Sequence, residues 1–382
     1  MKVLIVPDKF KGTLTAREAA AAIAFGWGRA RPEDSLQRLP MSDGGDGFGA
    51  VLGDLLGAKP QKIKTVDAAH RPITAIWWWQ AKAKTAVIES ANIIGLAMLP
   101  PGKFHPFQLD TFGLGAAISA AHGNGARQII LGIGGSATND GGFGLARAWG
   151  WKFCDKRGAV IEQWTQLPTL QKIQLPQNSI PGNIIVAVDV QNSLLGRQGA
   201  TRAFGPQKGI RPVDLAPAEQ CLRRLATAVK QQLGFDHQRL PGTGAAGGLG
   251  FGLATFAGAE LVSGFEFFAK HAELTRRLRG CDLVITGEGA LDESTLMGKG
   301  VGQLAALCRR QRIPVLGLAG MIQQTPPLRK SFSEIHALTQ LTTPDQARRR
   351  AKLWLARLAE KVAANWKFAS PANLVCNRRR RR

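Results

Sequence analysis

The sequence predicts a mostly parallel α/β protein, and three observations carry that prediction. Short apolar runs rich in Val and Ile alternate with helical patterns. Most of those runs end in polar or acidic residues beside glycine. No internal repeat or low-complexity linker interrupts the alternation. The 382 residues suffice for two or three domains and a substantial core. A composition of 45% hydrophobic and 20% charged residues fits a globular chain.

The elements follow in order. Residues 2–6 (KVLIV) read as a buried strand, and Pro7 and Gly12 mark a loop. Thr15 with Glu18 is a capping-box signature for a helix over Ala16–Trp27. A strand near Ser35–Leu39 leads through PMSDGGDG (40–47) to a helix over Phe48–Leu56. Residues 73–79 and 85–91 read as a strand pair, with Trp77, Trp78 and Trp79 as packing groups. A helix over Ala116–His122 precedes the stretch 127–150, which runs strand, glycine loop GIGGSATNDGG (132–142), helix. Residues 151–183 read as irregular. The strand Ile184–Val188 ends at Asp189-Val190-Gln191-Asn192. A donor-rich loop to Gly209, a helix over Pro217–Leu233 and a glycine tract over Gly242–Gly252 come next. A strand over Asp282–Ile285 gives way to Thr286-Gly287-Glu288 and Asp292, then Gly298-Lys299-Gly300. Strands at 313–318 and 334–338 and a helix over Pro344–Trp366 complete the pattern.

Five strand ends carry the chemistry: Asp8 with Lys11, Asp43 with Asp46, Ser136 with Asn139 and Asp140, Asp189 with Asn192, and Glu288 with Asp292. In open α/β sheets, ligands bind at the carboxyl ends of strands. A strand, glycine loop and helix in succession present backbone N–H groups to an anion. Mg²⁺ takes few carboxylates together with substrate oxygens, lysines offset phosphoryl charge, and an aspartate can accept a hydroxyl proton.

Other classes fit less well. The P-loop pattern is absent, because Gly298-Lys299 lacks the upstream glycine and the following hydroxyl. Gly132-x-Gly134-x-x-Ala137, with Asp155 about twenty residues on, fits a relaxed dinucleotide fingerprint and so an NAD-dependent oxidoreductase. The loop, however, runs on through SATNDGG, too long for the tight turn that fingerprint needs. No G-x-S-x-G nucleophile motif is present. The five cysteines are scattered, which argues against a disulfide framework or zinc site and for a cytoplasmic protein. No apolar run is long enough to span a membrane.

The net charge of +23 is uneven. From Thr342 onward twelve Lys/Arg face two acids, ending in Arg378–Arg382. A nucleic-acid-binding reading of this tail is weaker than that of a solvated segment.

With these residues in view, the chain resembles the bacterial glycerate kinase family, type I, from Met1 to about residue 370. The matching blocks are PDKFKGTLTA (7–16), PMSDGGDG (40–47), GIGGSATNDGG (132–142), AVDVQN (187–192), FGPQKG (204–209), GTGAAGGLGFGL (242–253) and DLVITGEGALDESTLMGKG (282–300). The resemblance implies ATP-dependent phosphorylation of D-glycerate with Mg²⁺, 2-phosphoglycerate being favoured as product. It also implies two α/β domains with the active cleft between them. One would be Rossmann-like and discontinuous (1–64 and 281–370), and the other inserted (65–280). The basic tail (371–382), expected to be disordered, is not a feature the family leads one to expect, and a homo-oligomer is compatible with the chain. Asp189, Asp43, Asp46 and Lys11 are expected to be catalytic. Gly134, Gly135, Ser136, Asn139, Asp140, Lys208, Gly244, Gly247, Gly248 and Lys299 are expected to contact the nucleotide or substrate, and Asp292 and Glu288 the metal. Three departures stand out: Ser193 replaces the family's usual proline, Gly298-Lys299-Gly300 lacks the proline that follows in the family, and Ala116 stands where an acid is usual.

Overall fold

The computed structural model describes residues 1–177, 182–296, 298–323 and 325–367. The expected tail (371–382), with its arginine run, lies outside the described residues. In chain order the main elements begin with β1 (Lys2–Ile5), α1 (Ala16–Ala30), β2 (Ser35–Arg38) and α2 (Phe48–Leu56). Then come β3 (Lys59–Val66), β4 (Pro72–Gln80), β5 (Thr85–Glu89), α3 (Phe112–Gly123), β6 (Gln128–Gly132) and α4 (Phe143–Ala148). They continue with β7 (Lys152–Asp155), β8 (Leu170–Gln174), β9 (Ile184–Val188), α5 (Leu215–Leu233), α6 (Ala245–Phe256), β10 (Glu260–Ser263) and α7 (Gly264–His271). The last are β11 (Leu283–Leu291), α8 (Gly300–Arg310), β12 (Val315–Ile322), β13 (Glu334–Ala337) and α9 (Ala351–Asn365).

The chain divides into two compact units. The first comprises Met1–Pro40, Arg277–Glu293 and the described residues from Ala305 on. Its sheet runs β13-β12-β11-β1-β2, all parallel. The capping box forms as the sequence predicts: Thr15 Oγ1 accepts from the Glu18 amide, and Glu18 accepts from the Thr15 amide. Trp27 is fully buried and donates its indole N–H to Asp34 at 2.9 Å. α1 and α9 meet closely at Gly26, where a Cβ would stand 1.9 Å from the Ala356 carbonyl oxygen. β11 is longer than its apolar run: it continues through Thr286-Gly287-Glu288 to Leu291, paired with β12. The glycines that read as loop are what permit this, since a Cβ on Gly287 would lie 1.9 Å from the Leu318 oxygen.

The second unit comprises Met41–Arg276 and Ser294–Leu304. Its main sheet runs β10-β9-β6-β5-β4-β3, parallel from β10 to β5 and antiparallel beyond. Residues 41–64, expected with the first unit, group here. The reason is packing: Phe48 and Leu52 of α2 are buried against Val87, Ile130, Ala187 and Trp78, and β3 pairs with β4. Trp78 lies so close to Gly49 that a Cβ there would meet its ring at 1.9 Å. Residues 151–183, read as irregular, contain the antiparallel β7–β8 pair, packed in a hydrophobic core that includes Phe153, Trp164 and Phe256.

The α1–α9 contact gives a direct test. Gly26→Ala gains about 1 kcal/mol of helix propensity, yet the added methyl must displace the facing backbone. We expect a net loss of about 1–3 kcal/mol in urea unfolding. A stabilised variant would contradict the close approach.

Candidate active site

In the second unit the loop after each of several strands is positioned by backbone-to-backbone contact. The 41–47 loop lies on the 132–135 turn: the Gly134 amide donates to the Gly44 oxygen at 2.9 Å, and a Cβ on Gly134 would stand 2.6 Å from Gly45 Cα. The Gly141 amide donates to the Gly247 oxygen at 3.1 Å, and a Cβ on Gly247 would meet the Thr138 oxygen at 2.0 Å. The Gly244 amide donates to the Asn192 oxygen at 2.8 Å, and a Cβ there would meet Ser193 at 2.2 Å. Gly244, Gly247 and Gly248 are therefore buried spacers between loops. Ala246, Gly247 and Gly248 form a left-handed run that kinks α6 as it enters. Gly135, by contrast, is exposed and left-handed, with Asp46 Oδ1 where its Cβ would stand.

Asp140 is fully buried. Its Oδ2 accepts from the Thr111 amide (3.0 Å), the Thr111 hydroxyl (2.8 Å) and the Gly144 amide (2.9 Å), and its Oδ1 accepts from Gly142. It holds α3 and α4 to the loop. Burial and neighbouring Asp110 push its carboxyl up to about 6. Asp110 itself is paired with His70 at 3.0 Å, and that hydrogen bond raises the imidazole's affinity for a proton. Asn139 is also fully buried and donates to Thr201 at 3.0 Å. Its Oδ1, with Ser42 Oγ, Ser90 Oγ and Thr138 Oγ1, is buried without a hydrogen-bond partner among the described residues.

Lys208 reaches the same wall from the FGPQKG turn. Its ammonium donates to Ser136 Oγ (3.0 Å) and the Thr138 oxygen (2.7 Å). Burial pushes it down to about 7, against the pull of Asp140 and Asp189. Asp189 and Asp43 line one pocket of about 1000 Å³. The Gly298 turn borders it, and the Gly300 amide donates to Asp43 at 3.1 Å. Lys299 is half-buried beside that turn. The structure thus brings together Asp43, Asp189 and the Gly298–Gly300 turn, and joins Ser136 to Lys208.

Sequence reasoning missed Glu89 as an organiser. Its carboxylate accepts from the Gly47 and Gly49 amides at 2.8 and 2.9 Å, capping α2 from a neighbouring strand. The acid closing the 85–91 run was the available signal. Asp155, the candidate ribose acid of the dinucleotide reading, instead accepts from Arg157 and Ala159 in a local turn.

In the first unit the Asp8 amide donates to the Gly287 oxygen at 2.9 Å. Gly289 lies close to the Lys11 amide, with 3.1 Å from that nitrogen to a Cβ built there. This places the Lys11 loop along β11 beside buried Glu288, with Lys11 exposed and Asp292 half-buried.

The chain matches the model of the glycerate kinase family over residues 3–367. It belongs to the glycerate kinase family. It is 36% identical over 372 residues to the glycerate 2-kinase of Escherichia coli K12, covering 95% of this chain and 97% of that protein. It is 34% identical over 382 residues to the glycerate kinase of Bacillus subtilis 168, covering 98% and 100%. Among solved structures it is similar to "Crystal structure of putative glycerate kinase 2 from Salmonella typhimurium LT2", with a TM-score of 0.78, 33% identity and 99% of each chain covered. The α/β architecture is that of a glycerate kinase.

Lys208 gives a pH signature. In the unfolded chain it holds its proton to its ordinary value of 10.5, and in the folded protein only to about 7. Between those values the unfolded state binds more protons, so stability rises with pH. Asp140 acts in the opposite sense between 3.8 and about 6. The stability of the wild type relative to Lys208→Met should therefore be flat just below pH ~7 and climb from there to about pH 10, read by urea unfolding. A flat difference across that range would show that Lys208 is not held near neutrality.

Proposed function

We propose that this glycerate kinase family member transfers the γ-phosphoryl group of ATP to the 2-hydroxyl of D-glycerate, giving 2-phosphoglycerate. The observation that carries the reading is that Asp43 and Asp189 line one pocket of a chain that matches the family over residues 3–367. The 2-hydroxyl is preferred because a relative similar over nearly its whole length is named a glycerate 2-kinase.

In this reading Asp189 accepts the proton of the attacking hydroxyl, and Asp43, fixed by the Gly300 amide, orients the same group. Lys208 offsets the negative charge near Asp189. Asp46 and the exposed Gly135 turn, with Ser136, offer polar and backbone contacts to substrate oxygens. Lys11 and Lys299 are assigned to phosphate or carboxylate contact.

ATP is the phosphoryl donor the family implies. Mg²⁺ is proposed with it, with Glu288 and Asp292 of the first unit as its protein ligands. No three His, Cys, Asp or Glu side chains stand together as a metal site among the described residues. Mg²⁺ takes one or two carboxylates and completes its shell with phosphate oxygens and water. When bound, it would neutralise charge on the phosphates. A cytoplasmic location is proposed from the scattered cysteines, of which Cys154, Cys221, Cys281 and Cys308 are free thiols. Among the described residues no helix is long and apolar enough to cross a membrane.

An ATP-coupled assay on D-glycerate, with ³¹P NMR of the product, tests the reaction and the site of transfer. Asp189→Asn should lower kcat about 10²–10⁴-fold with an unchanged unfolding midpoint. Near-normal turnover would remove Asp189 from the chemistry, and 3-phosphoglycerate as product would overturn the regiochemistry.

A further inference from the structure

The pocket that holds Asp43 and Asp189 has a second, chemically different wall. The segment following α5 presents Phe235 and Leu240 to it, each 45% exposed. Large apolar side chains left this open within one concave site mark a place where an apolar ligand face can be covered. Phe235 is also pre-positioned: its ring stacks on His237 at 5.2 Å between centroids and 21° between planes.

The segment that carries these rings is tied down. Asp236 pairs with Lys230 at 2.7 Å and accepts from Gln238 at 2.9 Å. The Gln238 carbonyl accepts from the Leu194 amide at 3.1 Å, and His237 Nδ1 lies 3.3 Å from Thr255 Oγ1. Burial holds the His237 imidazole towards its neutral form, so the stacked pair offers a flat, uncharged π-face. The wall is a built surface on a fixed segment.

The charges of the lining decide which part of a ligand faces it. Four carboxylates, Asp43, Asp189, Glu260 and Glu266, line the described pocket, with no lysine or arginine among them. A bare triphosphate would be repelled at Glu260 and Glu266. A flat heteroaromatic ring bearing an exocyclic amine would not: its face suits Phe235, and its amine can donate to a carboxylate.

We propose that the Phe235–His237–Leu240 wall is the purine subsite of the nucleotide, with adenine stacked on Phe235 and its exocyclic amine turned to Glu260 or Glu266. Guanine, which presents a carbonyl oxygen at the corresponding position, would be disfavoured there. This assignment rests on the ATP-dependent reading above and adds to it the place and the discrimination of the base.

The test combines binding and kinetics on the full chain. Calorimetric titration with ATP, without glycerate, compares wild type, Phe235→Ala and Phe235→Trp. Stacking on one aromatic ring is worth enough that Phe235→Ala should weaken ATP binding about 10-fold or more, with Phe235→Trp restoring it. In the coupled assay, KM for ATP should rise by a similar factor, while KM for glycerate and the unfolding midpoint stay unchanged. GTP should be the poorer donor for the wild type. Equal ATP affinity in wild type and Phe235→Ala, or equal use of ATP and GTP, would overturn the subsite. A wild type that binds ATP through Phe235 but phosphorylates no glycerate would instead overturn the proposed reaction and leave the subsite standing.

Discussion

The second unit depends on backbone touching backbone at glycine. Three loops, 41–47, 132–142 and 242–248, approach so closely that a single methyl group at Gly134, Gly247 or Gly248 would overlap main-chain or buried side-chain atoms. That contact fixes Asp43 and positions the wall that Lys208 joins. Glycine allows both the close approach and the left-handed turns at Gly135, Gly141, Gly142, Gly247 and Gly248. The glycines of this site therefore shape the protein's own geometry.

Buried charge does the remaining ordering. Asp140 draws together Thr111, Gly142 and Gly144, Glu89 closes the start of α2, and Lys208 ties Ser136 to Thr138. Each group is desolvated, and each is answered by hydrogen bonds, which is the condition under which buried polar networks specify one arrangement. The cost appears in the displaced proton affinities of Asp140 and Lys208. The pocket shared by Asp43 and Asp189 remains open beside this rigid frame.

Much of this was legible in the sequence. The apolar runs gave β1, β6 and β9, Thr15 and Glu18 gave the start of α1, and the acids at strand ends gave Asp43 and Asp189. The remainder was not, for physical reasons. β3 carries Lys, Pro and Gln on an edge strand, so its polar residues hide the pairing. β11 continues through glycines that read as loop but pack as strand. The roles of Gly247 and Asp140 depend on partners distant in the chain, and neither burial nor contact with Thr111 is written in local spacing. The amides that Glu89 caps and the pairing of Asp110 with His70 are invisible for the same reason. The wall formed by Phe235 and Leu240 has no sequence period, because it lies in an irregular connection.

The central claim is that Asp140 orders the wall beside the Asp43–Asp189 pocket through its hydrogen bonds to Thr111, Gly142 and Gly144. Amide hydrogen exchange on Asp140→Ala, compared with the wild type, tests it most directly. Loss of the carboxylate leaves several buried donors unpaired, so exchange at Thr111, Gly142, Gly144 and Leu145 should accelerate together, with a fall in stability of about 2–4 kcal/mol. Leu145 belongs in that set because its amide donates to the Thr111 hydroxyl that Asp140 holds. Unchanged protection at these amides, accompanied by a loss confined to ATP or glycerate affinity, would contradict the account.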